Sequence, residues 1–294
     1  MKKVLITGID GFTGIYLEEL LTKAGYDVYG LVYPKSIRKT HLACNIANLQ
    51  EVVTVFQSVK PDYIIHLAGI SFVPHSNVKE MYDINFFGSL NIMDALLETG
   101  VTPDKIVLAS SANVYGNPVD EVIDETVCPT PVSHYANSKL AMEFMARNYF
   151  DRLNILITRP FNYTGIGQGA QFLIPKIVSH FKDGKKEIQL GNLDVVRDFS
   201  DVRFVAEVYQ KLMECRATSE IVNICSGNGI SLLEIIDTMN SMAGYEIKTV
   251  KNPLFVRVNE VKTLIGSNRK LISLISEQKT YPFEETLRWM FDAT

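Results

Sequence analysis

Three glycines spaced three residues apart, Gly8-Ile-Asp-Gly11-Phe-Thr-Gly14, follow the apolar run 4–7 and open an amphipathic stretch over 12–24. Small residues at that junction allow a tight strand-to-helix turn. They also let backbone N–H groups approach a pyrophosphate at the helix N-terminus. The spacing is G-x-x-G-x-x-G rather than G-x-G-x-x-G, and an ordinary glycine-rich turn is the alternative. Its place directly after the first strand favours a dinucleotide loop.

The strand–helix alternation continues beyond this loop. Runs 28–32, 63–67, 106–109 and 155–158 are brief, apolar and bounded by Gly, Asp or polar residues, as strands are. Helical patterns lie between them at 49–59, 78–98 and 135–149. This predicts an α/β fold with a doubly wound (Rossmann) parallel sheet covered on both faces. The second half is less regular. A Gly- and Asn-rich loop at 159–169 precedes helical patterns at 172–183 and 202–215 and a strand at 221–225. Ser231 and Glu234 have capping-box spacing. We expect residues 1–162 to form the cofactor-binding domain, with 195–226 returning to it. Residues 163–294 would then form mainly a smaller C-terminal substrate-binding α/β cap.

A chain of 294 residues with 47% hydrophobic content and a net charge of −4 reads as a globular protein with a large core. The scattered charges give no nucleic-acid footprint, and no apolar run reaches membrane-spanning length. The four cysteines lack C-x-x-C spacing and the five histidines lack metal-ligand spacing. Free thiols, no metal and a cytoplasmic location are therefore expected.

Tyr135-Ala-Asn-Ser-Lys139 places a phenol and an ammonium on one helix face. A phenol with a pKa near ~10 exchanges protons poorly at neutral pH unless a nearby cation favours its anion. Lys139 would supply that charge and would also bond the nicotinamide ribose. Ser111 ends the strand at 106–109, where ligand crevices open, and would hydrogen-bond the reacting oxygen. With the glycine loop in place, Ser111, Tyr135 and Lys139 read as the catalytic group of a nicotinamide-dependent enzyme acting at a carbonyl or alcohol carbon. After the second strand, Gly30-Leu-Val-Tyr33-Pro-Lys35-Ser-Ile-Arg38 lacks the acid that usually holds an NAD ribose. Lys35 or Arg38 would attract a 2′-phosphate, so NADP is favoured over NAD; two solvent-facing cations are the alternative.

Gly8-x-x-Gly-Phe-Thr-Gly14, His66-Leu-Ala-Gly69, Asn85-x-x-Gly88, Ser110-Ser-Ala-Asn-Val-Tyr-Gly116 and Tyr135-x-x-x-Lys139 resemble, in order, the extended short-chain dehydrogenase/reductase family of nucleotide-sugar enzymes. The resemblance maps the catalytic Ser, Tyr and Lys to Ser111, Tyr135 and Lys139. It implies cofactor contacts from Gly8, Gly11, Phe12, Thr13 and Gly14, from Tyr33, Lys35 and Arg38, and from Asn45 and Ile46, where the family usually has Asp-Ile. It adds Leu67, Ala68, Gly69 and Asn85 to that set. The runs 159–168, 191–203 and 252–267 look like those of enzymes acting on GDP-mannose derivatives. They imply substrate contacts from Asn162, Arg197, Arg257 and Glu260 as well as Ser111.

Two activities share these motifs: 4,6-dehydration of GDP-mannose and reduction of GDP-4-keto-6-deoxy-D-mannose to GDP-D-rhamnose. The dehydratases carry a Glu where this chain has Asn113, preceded by Ala112. An amide cannot take up a proton at neutral pH. The expectation is therefore NAD(P)H-dependent reduction of the C4 carbonyl, for surface polysaccharide. A 4-epimerase with bound NAD, the dehydratase, and a 4-reductase of another GDP-4-keto sugar are the alternatives. A non-enzymatic NADP sensor fits less well, because both Tyr and Lys are kept. The resemblance also implies a homodimer built on the 78–98 and Tyr135 helices.

Overall fold

Strands β1 (Lys3–Thr7), β2 (Asp27–Val32), β3 (His41–Ala43), β4 (Tyr63–His66), β5 (Lys105–Ala109), β6 (Ile155–Pro160) and β10 (Glu220–Ile224) form one parallel sheet. Their spatial order is β10-β6-β5-β4-β1-β2-β3. The computed structural model describes residues 1–36, 38–71, 77–118, 121–256, 261–275 and 278–293. The central strands β1, β4, β5 and β6 bury both faces. Val4 and Ile6 face one core, with α1 (Phe12–Lys23) and α7 (Val202–Glu214). Leu5 faces the other, with α2 (Leu49–Val59), α4 (Ser89–Thr99) and α5 (His134–Arg147). The period-2 alternation thus feeds two hydrophobic layers, the arrangement expected of a doubly wound sheet.

Local chemistry sets the helix starts. Asn48 caps α2, Ser133 caps α5 and Asp201 caps α7, each side chain accepting a backbone N–H from the first turn. The expected single helix at 78–98 is interrupted. It consists of α3 (Val78–Tyr82), a π-helical turn Asp83–Gly88, and α4. The wider turn carries the fully buried Asn85, and Ser89 Oγ donates to the Asn85 carbonyl at 2.8 Å.

The smaller layer is built from later segments. β7 (Asn162–Thr164), β9 (Val196–Asp201), β11 (Gly229–Ser231) and β13 (Thr263–Leu264) form a second sheet centred on β9. β8 (Glu187–Leu190) pairs with β12 (Lys248–Lys251). α6 (Leu173–Lys182), α8 (Leu232–Ala243) and α10 (Phe283–Asp292) pack around a separate core that includes Ile177, Phe181, Ile235 and Leu287, while α9 (Arg269–Leu274) sends Leu271 to the large sheet. The Ser231/Glu234 capping box starts α8 as its spacing predicts. Asp198, fully buried on β9, binds the two sheets. It accepts the Ser226, Gly227 and Gly266 amides and the Ser226 hydroxyl, so β9 holds the exits of β10 and β13 together. No helix among the described residues is long and apolar enough to cross a membrane.

Candidate active site

The strand order reverses between β1 and β4, and ligands bind open α/β sheets at such a switch point. The glycine loop leaves β1 there, and Leu67-Ala-Gly69 leaves β4 beside it. Gly8 has φ +70°, and a Cβ on it would sit 3.1 Å from the Ala68 backbone. A Cβ on Gly14 would lie 2.4 Å from the Gly8 carbonyl oxygen. The loop is therefore folded tightly, with the α1 N-terminus open to an anion. The cleft above it has a volume of about 300 Å³ and is lined by Gly8, Gly11, Phe12, Thr13, Gly14, Leu67 and Gly69 on the cofactor side. These residues fit a dinucleotide: the glycines leave a cradle that side chains would fill.

Ser111, Tyr135 and Lys139 converge on the same cleft, each less than a tenth exposed. Ser111 caps a 3-10 turn at Ala112–Tyr115, its Oγ accepting the Asn113 amide at 3.2 Å. Tyr135 stands in the first turn of α5. Its burial pushes the phenol up to about 12, opposed by a hydrogen bond with Ser111. Lys139 donates to the Ala109 carbonyl at 2.8 Å, and burial pushes its ammonium down to about 8. The expectation that Lys139 draws down the Tyr135 pKa is not met in the protein without cofactor. Desolvation dominates at the phenol and only the Ser111 hydrogen bond opposes it, so Tyr135 holds its proton throughout the neutral range.

A hydrogen-bonded chain behind the cleft positions the cofactor side. The Ala68 amide donates to Thr7 Oγ1, Thr7 Oγ1 meets His66 Nδ1 at 2.7 Å, and His66 Nε2 meets Ser89 Oγ at 2.9 Å. Burial lowers the His66 pKa to about 3, so the imidazole is neutral. Thr7 then donates to Nδ1, and Nε2–H donates to Ser89. His66 is thus a positioning group. Asn85 works similarly: its amide grips both backbone polar groups of Ile70 and donates to Ser138 Oγ, tying the Gly69 loop to the Tyr135 helix.

The other sequence-derived residues are more dispersed. Asn162 lines the cleft. Asn45 folds back on the Ala47 amide, and Ile46 packs under Gly88. Tyr33 and Lys35 are exposed beyond β2, whereas Arg38 reaches Glu18 of α1 at 3.0 and 3.1 Å, beside His41. The Arg38 charge is therefore already compensated by a carboxylate. Arg197 turns its guanidinium to the carbonyls of Val196, Val261 and Lys262 and does not line the cleft. Arg257 and Glu260 lie outside the described residues.

Sequence reasoning missed Tyr163 and Tyr209, which also line the cleft. Tyr163 stacks on Phe12 at 5.9 Å and its hydroxyl meets Thr13 Oγ1 at 2.8 Å, clasping the glycine loop from β7. Tyr163 directly follows Asn162, but nothing in that adjacency reveals a partner 150 residues away.

Residues 5–290 match the family described as GDP-mannose 4,6 dehydratase. The chain belongs to this family. Like the rest of the extended short-chain dehydrogenases/reductases, this GDP-mannose 4,6 dehydratase family member sets Tyr-x-x-x-Lys against a dinucleotide loop. It is 34% identical to a GDP-6-deoxy-D-talose 4-dehydrogenase from Aggregatibacter actinomycetemcomitans, over 93% of this chain and 91% of that one. It is 28% identical to a GDP-6-deoxy-D-mannose reductase from Pseudomonas aeruginosa, over 98% and 95%. Among solved structures, a provisionally named epimerase from Burkholderia cenocepacia J2315 is 42% identical, with a TM-score of 0.92 over 99% of this chain and 97% of that one. RMD from Pseudomonas aeruginosa, solved with NADPH, is 27% identical with a TM-score of 0.87 over 99% and 98%.

Proposed function

We propose that the protein is a nicotinamide-dependent oxidoreductase that reduces the C4 carbonyl of GDP-4-keto-6-deoxy-D-mannose to a GDP-6-deoxyhexose. One observation carries this reading: among the described residues, the cleft is lined by Ser111, Tyr135 and Lys139 but by no Asp or Glu. Dehydration removes the C5 proton and expels the C6 hydroxyl, which calls for an acid/base pair. Asn113 and Ala112 stand beside Ser111 instead. Reduction needs only a proton donor, and Tyr135 keeps its proton at neutral pH.

A bound nicotinamide supplies the hydride. Tyr135 gives its phenolic proton to the C4 oxygen, and Ser111 donates a hydrogen bond to the same oxygen. Lys139 holds the cofactor ribose. NADPH is the proposed reductant, supported by the missing acid after β2, by exposed Lys35, and by the NADPH bound to the Pseudomonas relative. We assign residues 1–162, with α7 and β10, to the cofactor half and most of 163–294 to the nucleotide-sugar half.

Two products differ only in the face of the carbonyl that is attacked. GDP-D-rhamnose is the reading supported by the motifs and the Pseudomonas reductase; the talose dehydrogenase, at higher identity, supports the C4 epimer. The test supplies the 4-keto product of GDP-mannose dehydration with NADPH or NADH and identifies the sugar by NMR. Rhamnose shows large H3–H4 and H4–H5 couplings, and 6-deoxytalose small ones. Consumption of NADPH with either product supports the reading. Interconversion of a GDP-6-deoxyhexose with its C4 epimer without added reductant, on cofactor carried through purification, would establish the epimerase instead.

A homodimer is also proposed. Phe87 in the π-turn, Leu97 on α4 and Phe144 on α5 are exposed on the helices for which the family resemblance implies pairing. Sedimentation at micromolar concentration should give twice the chain mass, and a monomer would remove the proposal.

A further inference from the structure

Glu143 lies one turn beyond Lys139 on α5 and is fully buried. Its carboxylate takes two hydrogen bonds from Arg159 on β6, at 2.9 and 2.6 Å. It also accepts the Ser110 hydroxyl at 2.5 Å. Arg159 is itself 1% exposed and lies over the Tyr115 ring at 4.7 Å. Neither charge lines the cleft, although Ser110, Lys139 and Pro160 do. An ion pair in such a place is an expensive way to stabilise a fold. An apolar pair of similar volume is commonly as stable or more so. The consequence of the pair should therefore be sought in what it touches.

We propose, on the reductase reading, that Glu143, anchored by Arg159, is a positioning residue that keeps the Lys139 ammonium charged in its buried site and fixes Ser111 through its neighbour Ser110. Burial alone drives Lys139 toward the neutral amine, and Glu143 is the group that opposes it. Among the described residues no other facing group does so. His66 from β4 is neutral. Tyr135 from α5 and Tyr163 and Tyr209, from β7 and α7, are phenols that burial holds protonated. Arg159 from β6 carries the same sign as the ammonium and is paired with Glu143 at 2.6 Å. The Ser110 bond fixes the residue that precedes Ser111, and Arg159 precedes Pro160-Phe161-Asn162 on the substrate side, so one pair orders both walls.

The test follows Lys139 directly, by 13C NMR of lysine-labelled protein with NADPH bound, the resonance being assigned by its loss in Lys139→Met. In Glu143→Gln the titration midpoint should fall by roughly one pH unit, and in the double variant Glu143→Leu/Arg159→Met by less, because the Arg159 charge leaves with the carboxylate. Glu143→Asp should retain it. The double variant is expected to fold, because it removes both charges. Its melting temperature should stay near that of the wild type while the midpoint moves. A midpoint unmoved in a folded variant that lacks the Glu143 carboxylate, Glu143→Gln above all, overturns the proposal. Ser110→Ala should lower kcat several-fold with KM unchanged; an unchanged kcat overturns the Ser111 part. The titration needs no sugar substrate, so failure of the product assay and failure of this inference are separate results.

Discussion

Tyr135→Phe should lower kcat for carbonyl reduction by about 10² to 10⁴-fold, the usual contribution of a positioned proton donor. Cofactor affinity should stay within about twofold, since the glycine cradle and Lys139 are untouched. The ring keeps its place in the first turn of α5 and loses only the hydroxyl that meets Ser111. The pH dependence follows from two groups. Tyr135, pushed up to about 12, donates a proton across the whole neutral range and sets no limit there. Lys139, pushed down to about 8, loses its charge as the pH rises through that value, so reduction should decline on that limb. The reverse reaction needs the phenolate, so its rate should rise with pH before the same loss intervenes. Stopped-flow rates and cofactor titration on the same preparation decide the matter. A variant that keeps kcat within threefold, or one that loses cofactor as well, would remove Tyr135 from the proposed role.

The large sheet was legible because its rules are local. Apolar runs between helical patterns placed six of its seven strands, and the glycine loop fixed where they open. The short strand β3, in which only His41 is buried and Leu42 is half-buried, carries too weak an apolar pattern to be read. The π-turn was also hidden, because Asp83–Gly88 keeps helical spacing and only its packing widens it. The small sheet was mostly illegible for another reason: β7, β11 and β13 are short and pair with β9 across long separations. In the site, the Ser-Tyr-Lys group and the cradle could be named from motifs. Arg38 could be named as a cation but not as the partner of Glu18, and Arg197 as a guanidinium but not as one turned to backbone carbonyls. Spacing reports which face a residue shares; it does not report which neighbour from another element neutralises it.

Gly14→Ala tests the cradle itself. The added Cβ would stand 2.4 Å from the Gly8 carbonyl oxygen and 2.5 Å from that of Ile9. Both atoms are backbone, so no rotamer change relieves the contact. Either α1 moves away from β1 or the loop opens, and overpacking of this kind costs about 1–3 kcal/mol. The same movement withdraws the amides that face the pyrophosphate. Cofactor affinity should fall about tenfold or more, equivalent to ~1.4 kcal/mol. Gly11→Ala provides the graded comparison, since its Cβ would meet the Gly8 oxygen at 3.1 Å, where a small adjustment suffices. The melting temperature should therefore fall, and the NADPH dissociation constant should rise, in the order wild type, Gly11→Ala, Gly14→Ala. A Gly14→Ala protein that binds NADPH as the wild type does would show that the close approach of helix and strand is not what shapes this loop.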